Sequence, residues 1–507
     1  MKKKVKEIFF IFFLVVSVRI IPIFVGEFLS PDACLYLDIG RNLFEGKGFI
    51  TTYNFYQFWK DSSYPAFSFM HPIFCIIAGF LYKLFNTIKA VSIFNMFITY
   101  LNILLIYYIF DFLSEKVRLI VCALISFNYT MFVTSLFPWT EQLHLFFLLL
   151  SFYIFKKFSF KKVFIIGIIM GIATLVRVAN VYNIFGYLIF FQLFSKERFK
   201  NIIWFCAGTF LILFPYEVLC FIKCHKFFPE YLLATKYFGQ ARLFGGEYFY
   251  QTPILRPSVK FSIWGVSYLL IQTTLLKVRE FMRFFNRYLG FFLWILPLGI
   301  YAQIKSKNRD SQNLLISLVF LIGVINFIFY SISVWWEPRL EIYRYILIPY
   351  ITFIISSIFL FEKVLLLEEN YKKFFLNFTF LILFLINGSE ILKTNLFYLK
   401  NAKKIRQEII HRKKMVEYLN FCVQPKDKIA TLEYQYAFPL KCSLVSLPEG
   451  KVLNEENIQR FLEIYHPKII WLKKSYQDFY LPFLRTYRKV ELPLELSKDY
   501  TVLMLAD

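Results

Sequence analysis

The sequence predicts a polytopic helical membrane protein with a small α/β domain at its C-terminal end. The chain has 507 residues and a mean hydropathy of +0.54, 58% of its residues are hydrophobic, and 66 are phenylalanine. A water-soluble core cannot bury so much apolar surface, so we expect the bilayer to be the solvent for most of the chain. From Lys400 onward the sequence becomes charged, and short β-like runs alternate with helical stretches at 403–421 and 454–465.

The charge balance is strongly basic. The chain has 58 Lys and Arg against 34 Asp and Glu, which gives a formal net charge of +24. In a membrane protein this excess is typical of cytoplasmic loops and of contacts with anionic headgroups. We therefore expect membrane lipids, and no nucleic acid, among the partners. The eight cysteines include no CxxC pair and no cluster with zinc-ligand spacing.

Apolar runs predict about eleven membrane crossings. The runs lie near 7–25, 90–111, 118–136, 139–155, 163–178, 180–195, 201–222, 289–304, 311–334, 345–366 and 374–388. With this count the short basic loops all fall on the cytoplasmic side. The assignment requires that His71–Phe85, which is short for a span, lies at the interface rather than across the bilayer.

Two domains follow from this reading. Residues 1–390 form the transmembrane domain, with outer loops at 26–89 and 223–288, and residues 391–507 form an extracytoplasmic α/β domain. The C-terminal domain has no Gly-rich phosphate loop, so it does not look like a nucleotide site. The chain has no internal repeat, which counts against a transporter built from inverted repeats.

The first outer loop carries the leading catalytic candidate. Asp32 lies at the predicted start of a helix near the membrane surface. A carboxylate in that position can act as a general base on an acceptor hydroxyl or amine. The alternative is that Asp32 caps the helix, because Ser30-Pro31-Asp32 is an ordinary helix start.

Three further charged residues are predicted at outer helix ends. Arg177 and Arg344 offer planar guanidinium groups that suit phosphate oxygens, or they are interfacial arginines that reach the headgroups. Glu141 lies in an apolar run, where an acid is costly unless it is paired or solvated. Its alternative role is to favour the start of a helix that Thr140 caps.

The pattern resembles the C-type (GT-C) membrane glycosyltransferases, the superfamily of the protein O-mannosyltransferases and the lipid A aminoarabinose transferase. Four segments in the same order carry the resemblance: DACLYLDIGRNLFEGKGF at 32–49 with a later His71-Pro72, TE at 140–141, GIATLVR at 171–177, and RYILIP at 344–349. The chain differs in having a single acid, Asp32, after Pro31 and in having Val178, not proline, after Arg177.

The resemblance implies a function and a site. The protein would transfer a sugar, with inversion, from a polyprenyl phosphate (undecaprenyl phosphate in a bacterial inner membrane) to a glycan, lipid or protein acceptor at the outer face. It implies Asp32 as general base. Glu141 is the second catalytic candidate, either to orient the acceptor or to help a second catalytic step. The implied contacts to the donor phosphate are Arg177, Arg344, Tyr345 and His71, and the implied substrate-loop residues are Tyr36, Arg41 and Lys47.

Some alternatives stay open at this point. His71 either contacts the phosphate or only precedes a turn. Members of the superfamily often need no metal, but an acid such as Glu141 near Asp32 leaves a divalent cation open. The rival function is a transporter or flippase for lipid-linked glycans.

Overall fold

The computed structural model describes most of the chain. The described residues are 2–54, 66–67, 71–156, 160–225, 311–333, 341–364, 369–433, 439–447 and 455–505, with isolated positions at 227, 275, 278, 279, 282 and 283. The predicted outer loop at 223–288 lies almost entirely outside these ranges.

Helices make up most of the described chain. In order they are α1 (Lys2–Val25), α2 (Pro31–Phe44), α3 (Pro72–Phe85), α4 (Lys89–Ile109), α5 (Glu115–Ser126), α6 (Tyr129–Leu136), α7 (Glu141–Phe155), α8 (Phe160–Val176), α9 (Val181–Phe194), α10 (Arg198–Cys224), α11 (Ser311–Ser333), α12 (Glu341–Val364), α13 (Glu369–Lys400), α14 (Ala402–Cys422) and α15 (Glu455–Tyr465). Shorter helical turns lie at Val178–Asn180, Lys474–Tyr476, Gln477–Tyr480, Leu481–Phe483 and Leu494–Ser497.

Several helices are long and apolar enough to cross a bilayer. Among the described residues, four segments qualify: Val5–Val25, Lys89–Ile109, Arg198–Lys223 and Gln312–Ser331. The pair α5 and α6 forms a fifth if it counts as one span, bent by 54° at its break. Shorter apolar helices, including α3, α7, α8 and α9, pack beside them. The predicted membrane character is confirmed, while the count of about eleven crossings stays a prediction.

Lipid-facing surface is clearest on α10. Only 22% of its apolar stretch within Arg198–Lys223 is buried, and side chains such as Phe210, Leu211 and Phe214 are exposed. On a water-soluble protein such a surface would be costly, whereas lipid tails solvate it. The opposite face of α10 packs on α8 through a close approach of Gly208 to Gly167.

A six-stranded sheet forms the C-terminal domain. Its strands are β2 (Tyr53–Asn54), β4 (Lys428–Thr431), β5 (Ser443–Ser446), β6 (Ile469–Lys473), β7 (Tyr487–Lys489) and β8 (Tyr500–Leu505). The order is β2-β5-β4-β6-β8-β7, parallel from β2 to β6 and antiparallel from β6 to β7. A separate two-stranded pair joins β1 (Ile50–Thr51) to β3 (Ala66–Phe67). The predicted C-terminal α/β domain is therefore confirmed, and its edge strand β2 comes from residues 26–89, the predicted first outer loop.

Helix α2 lies under this sheet. One continuous apolar cluster joins residues of α2, such as Leu35 and Ile39, to sheet residues such as Leu444 and Trp471. Helix α3 packs on another face of α2. We call the end of the helical region that carries α2 and the sheet the sheet side; the sequence predicts that it is the outer side.

Candidate active site

The start of α2 sets the position of Asp32. Ser30 is the helix cap: its Oγ accepts a hydrogen bond from the Ala33 N–H at 3.1 Å, and Pro31 takes the first helical position. The same Oγ accepts a hydrogen bond from the Trp139 indole N–H at 2.7 Å. Ser30 therefore does the capping that the sequence left open for Asp32, and the Asp32 carboxylate turns to another partner.

Asp32, Arg344, Glu141 and Arg177 form a row of alternating charges. Arg344 donates through Nη1 to Asp32 Oδ2 and through Nε to Glu141 Oε1, the latter at 2.6 Å. Arg177 donates through Nη1 to the same Glu141 oxygen and to Thr140 Oγ1, the latter at 3.0 Å. Residues far apart in the sequence thus meet at one point on the sheet side.

The row is withdrawn from solvent except at one end. The side chains of Arg344 and Glu141 are 3% and 2% exposed, and that of Asp32 is 16% exposed. Buried charges are stable only when they are paired and hydrogen-bonded, which explains the alternation of signs. Asp32 is the most exposed of the four side chains.

Helix ends supply these groups. Glu141 is the first residue of α7, Arg177 follows the last residue of α8, and Arg344 lies in the first turn of α12. Thr140 occupies the cap position of α7 but makes no side-chain cap bond, and its hydroxyl accepts from Arg177 instead. Side chains at helix ends can point toward one another, so the charged site forms at the end of the bundle and not in the middle of an apolar helix.

Aromatic rings hold the two arginines. The Arg344 guanidinium lies 4.6 Å from the centroid of the Trp139 ring, and that of Arg177 lies 5.8 Å from the centroid of the Tyr345 ring. Such cation–π contacts favour a fixed guanidinium plane. Tyr345, predicted as a phosphate contact, therefore lies against one of the predicted phosphate-binding arginines.

Glu141 has one oxygen committed and one available. Its Oε1 accepts from both arginines, whereas its buried Oε2 has no hydrogen-bond partner among the described residues. An unsatisfied buried carboxylate oxygen is costly, so it suits a ligand hydroxyl or amine that donates to it.

His71 completes one wall of the site. It has a left-handed backbone with φ of 43°, immediately before Pro72 at the start of α3, and its ring lies 5.5 Å from that of Tyr36. Burial, with the charge of Arg177 as the next cause, lowers the pKa of His71 to about 3. The imidazole is therefore neutral near pH 7, and it can offer a hydrogen bond to a phosphate but no charge.

The three predicted substrate-loop residues take different places. Tyr36 is buried one turn after Asp32 and packs edge-on against His71 and Phe74. Arg41 is buried away from the charged row and pairs with Asp38, and Lys47 lies on an exposed turn beside Glu45 at 2.5 Å. The structure places Tyr36 at the site and does not bring Arg41 or Lys47 to it.

Behind the charged row lies a polar network that the sequence reasoning did not identify. His144 Nε2 lies 3.0 Å from Asn180 Oδ1, Asn183 donates to the same oxygen at 2.8 Å, and Asn326 donates to Asn183 Oδ1 at 2.7 Å. His144 follows Glu141 by three residues on α7, so the two share a helix face. The three-residue spacing of Glu141 and His144 in an otherwise apolar helix is the sequence signal that could have predicted this network. The position of Trp139 directly before Thr140-Glu141 could likewise have predicted its contact with the charged row.

Metal ligation was left open by the sequence. Across the described ranges, no group of three or more His, Cys, Asp or Glu side chains is arranged to hold a metal ion. Asp32 and Glu141 share Arg344 between them, so in this arrangement the guanidinium takes the position between the carboxylates.

The fold is similar to that of solved membrane-protein structures over nearly the whole chain. The chain is similar to ArnT from Cupriavidus metallidurans bound to undecaprenyl phosphate, with a TM-score of 0.58 at 12% sequence identity over 96% of each chain. It is also similar to the apo state of that protein, with a TM-score of 0.55 at 12% identity over 97% of each chain. The chain has the GT-C fold.

The similarity is in structure and not in sequence. The sequence matches no protein-family profile and no curated protein. The resemblance that the four short segments indicated is thus confirmed at the level of the fold, along the whole length of the chain.

Proposed function

We propose that the protein is a membrane glycosyltransferase that takes a sugar from a polyprenyl phosphate and places it on an acceptor at the outer face. The observation that carries this proposal is the row Asp32–Arg344–Glu141–Arg177 at the end of a helical membrane domain. In it a partly exposed carboxylate pairs with one arginine, and Glu141 links that arginine to a second. The solved relative of the same fold binds undecaprenyl phosphate. A lipid-linked donor carries its phosphate at the height of such a site.

The proposed step is a single displacement. The acceptor oxygen or nitrogen forms a bond to the anomeric carbon, the bond from that carbon to the phosphate oxygen breaks, and its electron pair stays on the phosphate. The acceptor proton passes to Asp32. Attack opposite the leaving phosphate inverts the anomeric configuration, and a positioned base of this kind contributes about 10²–10⁴-fold.

Arg344 couples the two charge changes. It holds Asp32 in the resting site, and it is the cation nearest to the base. When Asp32 receives the proton it becomes neutral and no longer attracts the guanidinium. At the same moment the leaving phosphate gains a negative charge, so Arg344 stabilises the phosphate as its bond to Asp32 weakens.

The remaining residues have supporting roles in this proposal. Arg177, held by Glu141 and Thr140, supplies a second cation for the phosphate, with Tyr345 beside it. The neutral His71 donates a hydrogen bond to a phosphate or sugar oxygen. Glu141 Oε2 accepts from a substrate hydroxyl or amine.

The location belongs to the same proposal. We infer that the protein lies in a bacterial inner membrane with its sheet side outside, where polyprenyl-phosphate sugars are consumed. The acceptor is a glycan, a lipid or a protein, and the basic outer helix α14 is compatible with an acceptor that carries phosphate groups.

A panel of polyprenyl-phosphate sugars tests the proposal. Purified protein in lipid nanodiscs is incubated with each radiolabelled donor and with water-soluble and lipid acceptors, and sugar release is measured. We expect turnover of at least one donor by the wild type and by Asp478→Asn, a change at an exposed acid on the helical turn Gln477–Tyr480. Movement of intact donor across the bilayer without sugar release would favour a transporter and would overturn the proposal.

A further inference from the structure

The first outer loop and the C-terminal domain are joined through α2. Its N-terminal turn carries Asp32, and its later turns carry Asp38 and Arg41. Neither Asp38 nor Arg41 belongs to the charged row. Both are nevertheless buried, with 0% and 9% exposure, which is unusual for charged residues and needs an explanation.

Asp38 is saturated with donors. Its Oδ1 accepts from Arg41 Nη2 and from Thr52 Oγ1, each at 2.7 Å. Its Oδ2 accepts from the Thr52 backbone N–H at 2.7 Å and from Thr51 Oγ1 at 3.1 Å. Three of these four donors belong to Thr51 and Thr52, so they fix this segment, which leads into β2, against the helix.

Arg41 reaches the C-terminal domain itself. Its Nη1 donates to the Leu440 backbone carbonyl at 2.8 Å, a contact between residues 399 positions apart. Leu440 comes shortly before β5, the strand that pairs with β2. The Leu444 N–H donates to the Thr52 carbonyl at 2.9 Å, so the two connections close a ring of contacts between α2, the loop and the sheet.

We propose that Asp38 and Arg41 are positioning residues that lock the C-terminal domain onto α2 and thereby hold Asp32 in its working position. The inference rests on the proposed function for its effect on turnover. It assigns the C-terminal domain a role as the rigid support of the catalytic helix, which the fold by itself does not assign.

The separation of Asp32 and Asp38 along α2 turns a small tilt of the helix into a displacement of the Asp32 carboxylate. Asp32 and Asp38 are six residues apart, which is about 9 Å along a helix with a rise of about 1.5 Å per residue. A tilt of a few degrees at the Asp38 end therefore moves the Asp32 carboxylate by several tenths of an ångström. A misplacement of about 1 Å at a reacting group can reduce the rate by about 10²-fold.

Asp38→Asn is the first variant to examine, with Asp478→Asn, the same change at an exposed position, as the matched control. Asparagine keeps the shape but loses the charge and presents an amide N–H₂ to a group of donors. Arg41→Lys is the second variant, because a lysine cannot reach Asp38 and Leu440 with the fork of an arginine. Each variant is purified full-length in nanodiscs, and its fold is checked by thermal unfolding.

Hydrogen exchange measures, without any substrate, how firmly the contacts of Asp38 and Arg41 hold the C-terminal domain on α2. We expect faster exchange in Asp38→Asn at Thr52 and Leu444 and in the first turns of α2 after Ala33, with unchanged exchange in β6 and β8. Asp478→Asn should match the wild type. Wild-type exchange at both Leu444 and the first turns of α2 in a folded Asp38→Asn protein would overturn the inference, whether or not a donor has been found.

Turnover separates positioning from general stability. We expect kcat to fall about 10- to 100-fold with the donor KM within about threefold, because the arginines that bind the phosphate stand on other helices. The pH profile should keep its shape, since Asp32 remains the base, and Arg41→Lys should keep more activity than Arg41→Gln. Loosened exchange with wild-type kcat would contradict the positioning role. If the wild type itself transfers no sugar, the proposed function fails, while the exchange result still decides whether the lock exists.

Discussion

Substitution of Gly40 by alanine should separate α2 from α3 and disturb the site between them. A Cβ atom at position 40 would lie 2.3 Å from the Cys75 carbonyl oxygen and 2.6 Å from Gly79 Cα. Both atoms belong to the backbone of α3, so no side chain can turn aside to relieve the contact. An ordinary contact begins at 3.4 Å, and the two helices must therefore move apart by about 1.1 Å.

The displacement acts directly on candidate site residues. Asp32 and Tyr36 stand on α2, and His71 stands at the start of α3 with its ring 5.5 Å from that of Tyr36. A shift of about 1 Å between these helices is enough to lower turnover by about 10²-fold. The overpacking itself should cost about 1–3 kcal/mol of unfolding free energy.

Gly388→Ala in α13 is the control. A Cβ atom there meets nothing within 4 Å, so this variant reports only the gain in helix propensity, about 1 kcal/mol. Thermal unfolding and sugar transfer are measured for both variants in nanodiscs. A Gly40→Ala protein that equals Gly388→Ala in stability and activity would refute the close packing of α2 on α3.

Two other predictions follow from single side chains. Arg344→Lys should reduce turnover at least 10-fold and raise the donor KM, because an ammonium group cannot bridge Asp32 and Glu141 as the guanidinium does. Steady-state kinetics test this, with Lys47→Arg as the control. Wild-type values of kcat and KM for Arg344→Lys would contradict it. Burial lowers the pKa of His71 from 6.5 to about 3, so between these pH values the unfolded state binds a proton that the folded state does not. The unfolding free energy therefore rises with pH across that window, by at most about 1.4 kcal/mol per pH unit. His71→Asn should reduce that slope relative to the exposed His466→Asn, and equal slopes in the two variants would argue against a buried neutral imidazole.

The sequence was most informative where chemistry and burial conflict. An acid in an apolar run and arginines at helix ends are costly unless they meet, and Glu141, Arg177 and Arg344 do meet, together with Asp32. The β-like runs after Lys428 were also predictable, since alternating and β-branched patterns mark β4, β5, β6 and β8.

Other parts carried no readable signal. Strand β2 is only two residues long, too short for any periodicity, and its partner lies almost 400 positions away in β5. Arg41 was expected in the substrate loop because it belongs to the segment that resembles the first loop of the GT-C enzymes. Its place is set instead by the Leu440 carbonyl, a backbone group that no residue pattern reveals. Long-range contacts of this kind can be found only once the three-dimensional structure is known.

The most direct test of the central claim compares transfer and carrier binding in Asp32→Asn. Sugar transfer and the affinity for undecaprenyl phosphate are measured on the same preparation, beside the wild type and Asp478→Asn. We expect transfer to fall by at least about 10²-fold, while the carrier binds as tightly as before or more tightly, because Arg344 no longer shares its charge with Asp32. Wild-type transfer by folded Asp32→Asn would contradict the assignment of Asp32 as the base.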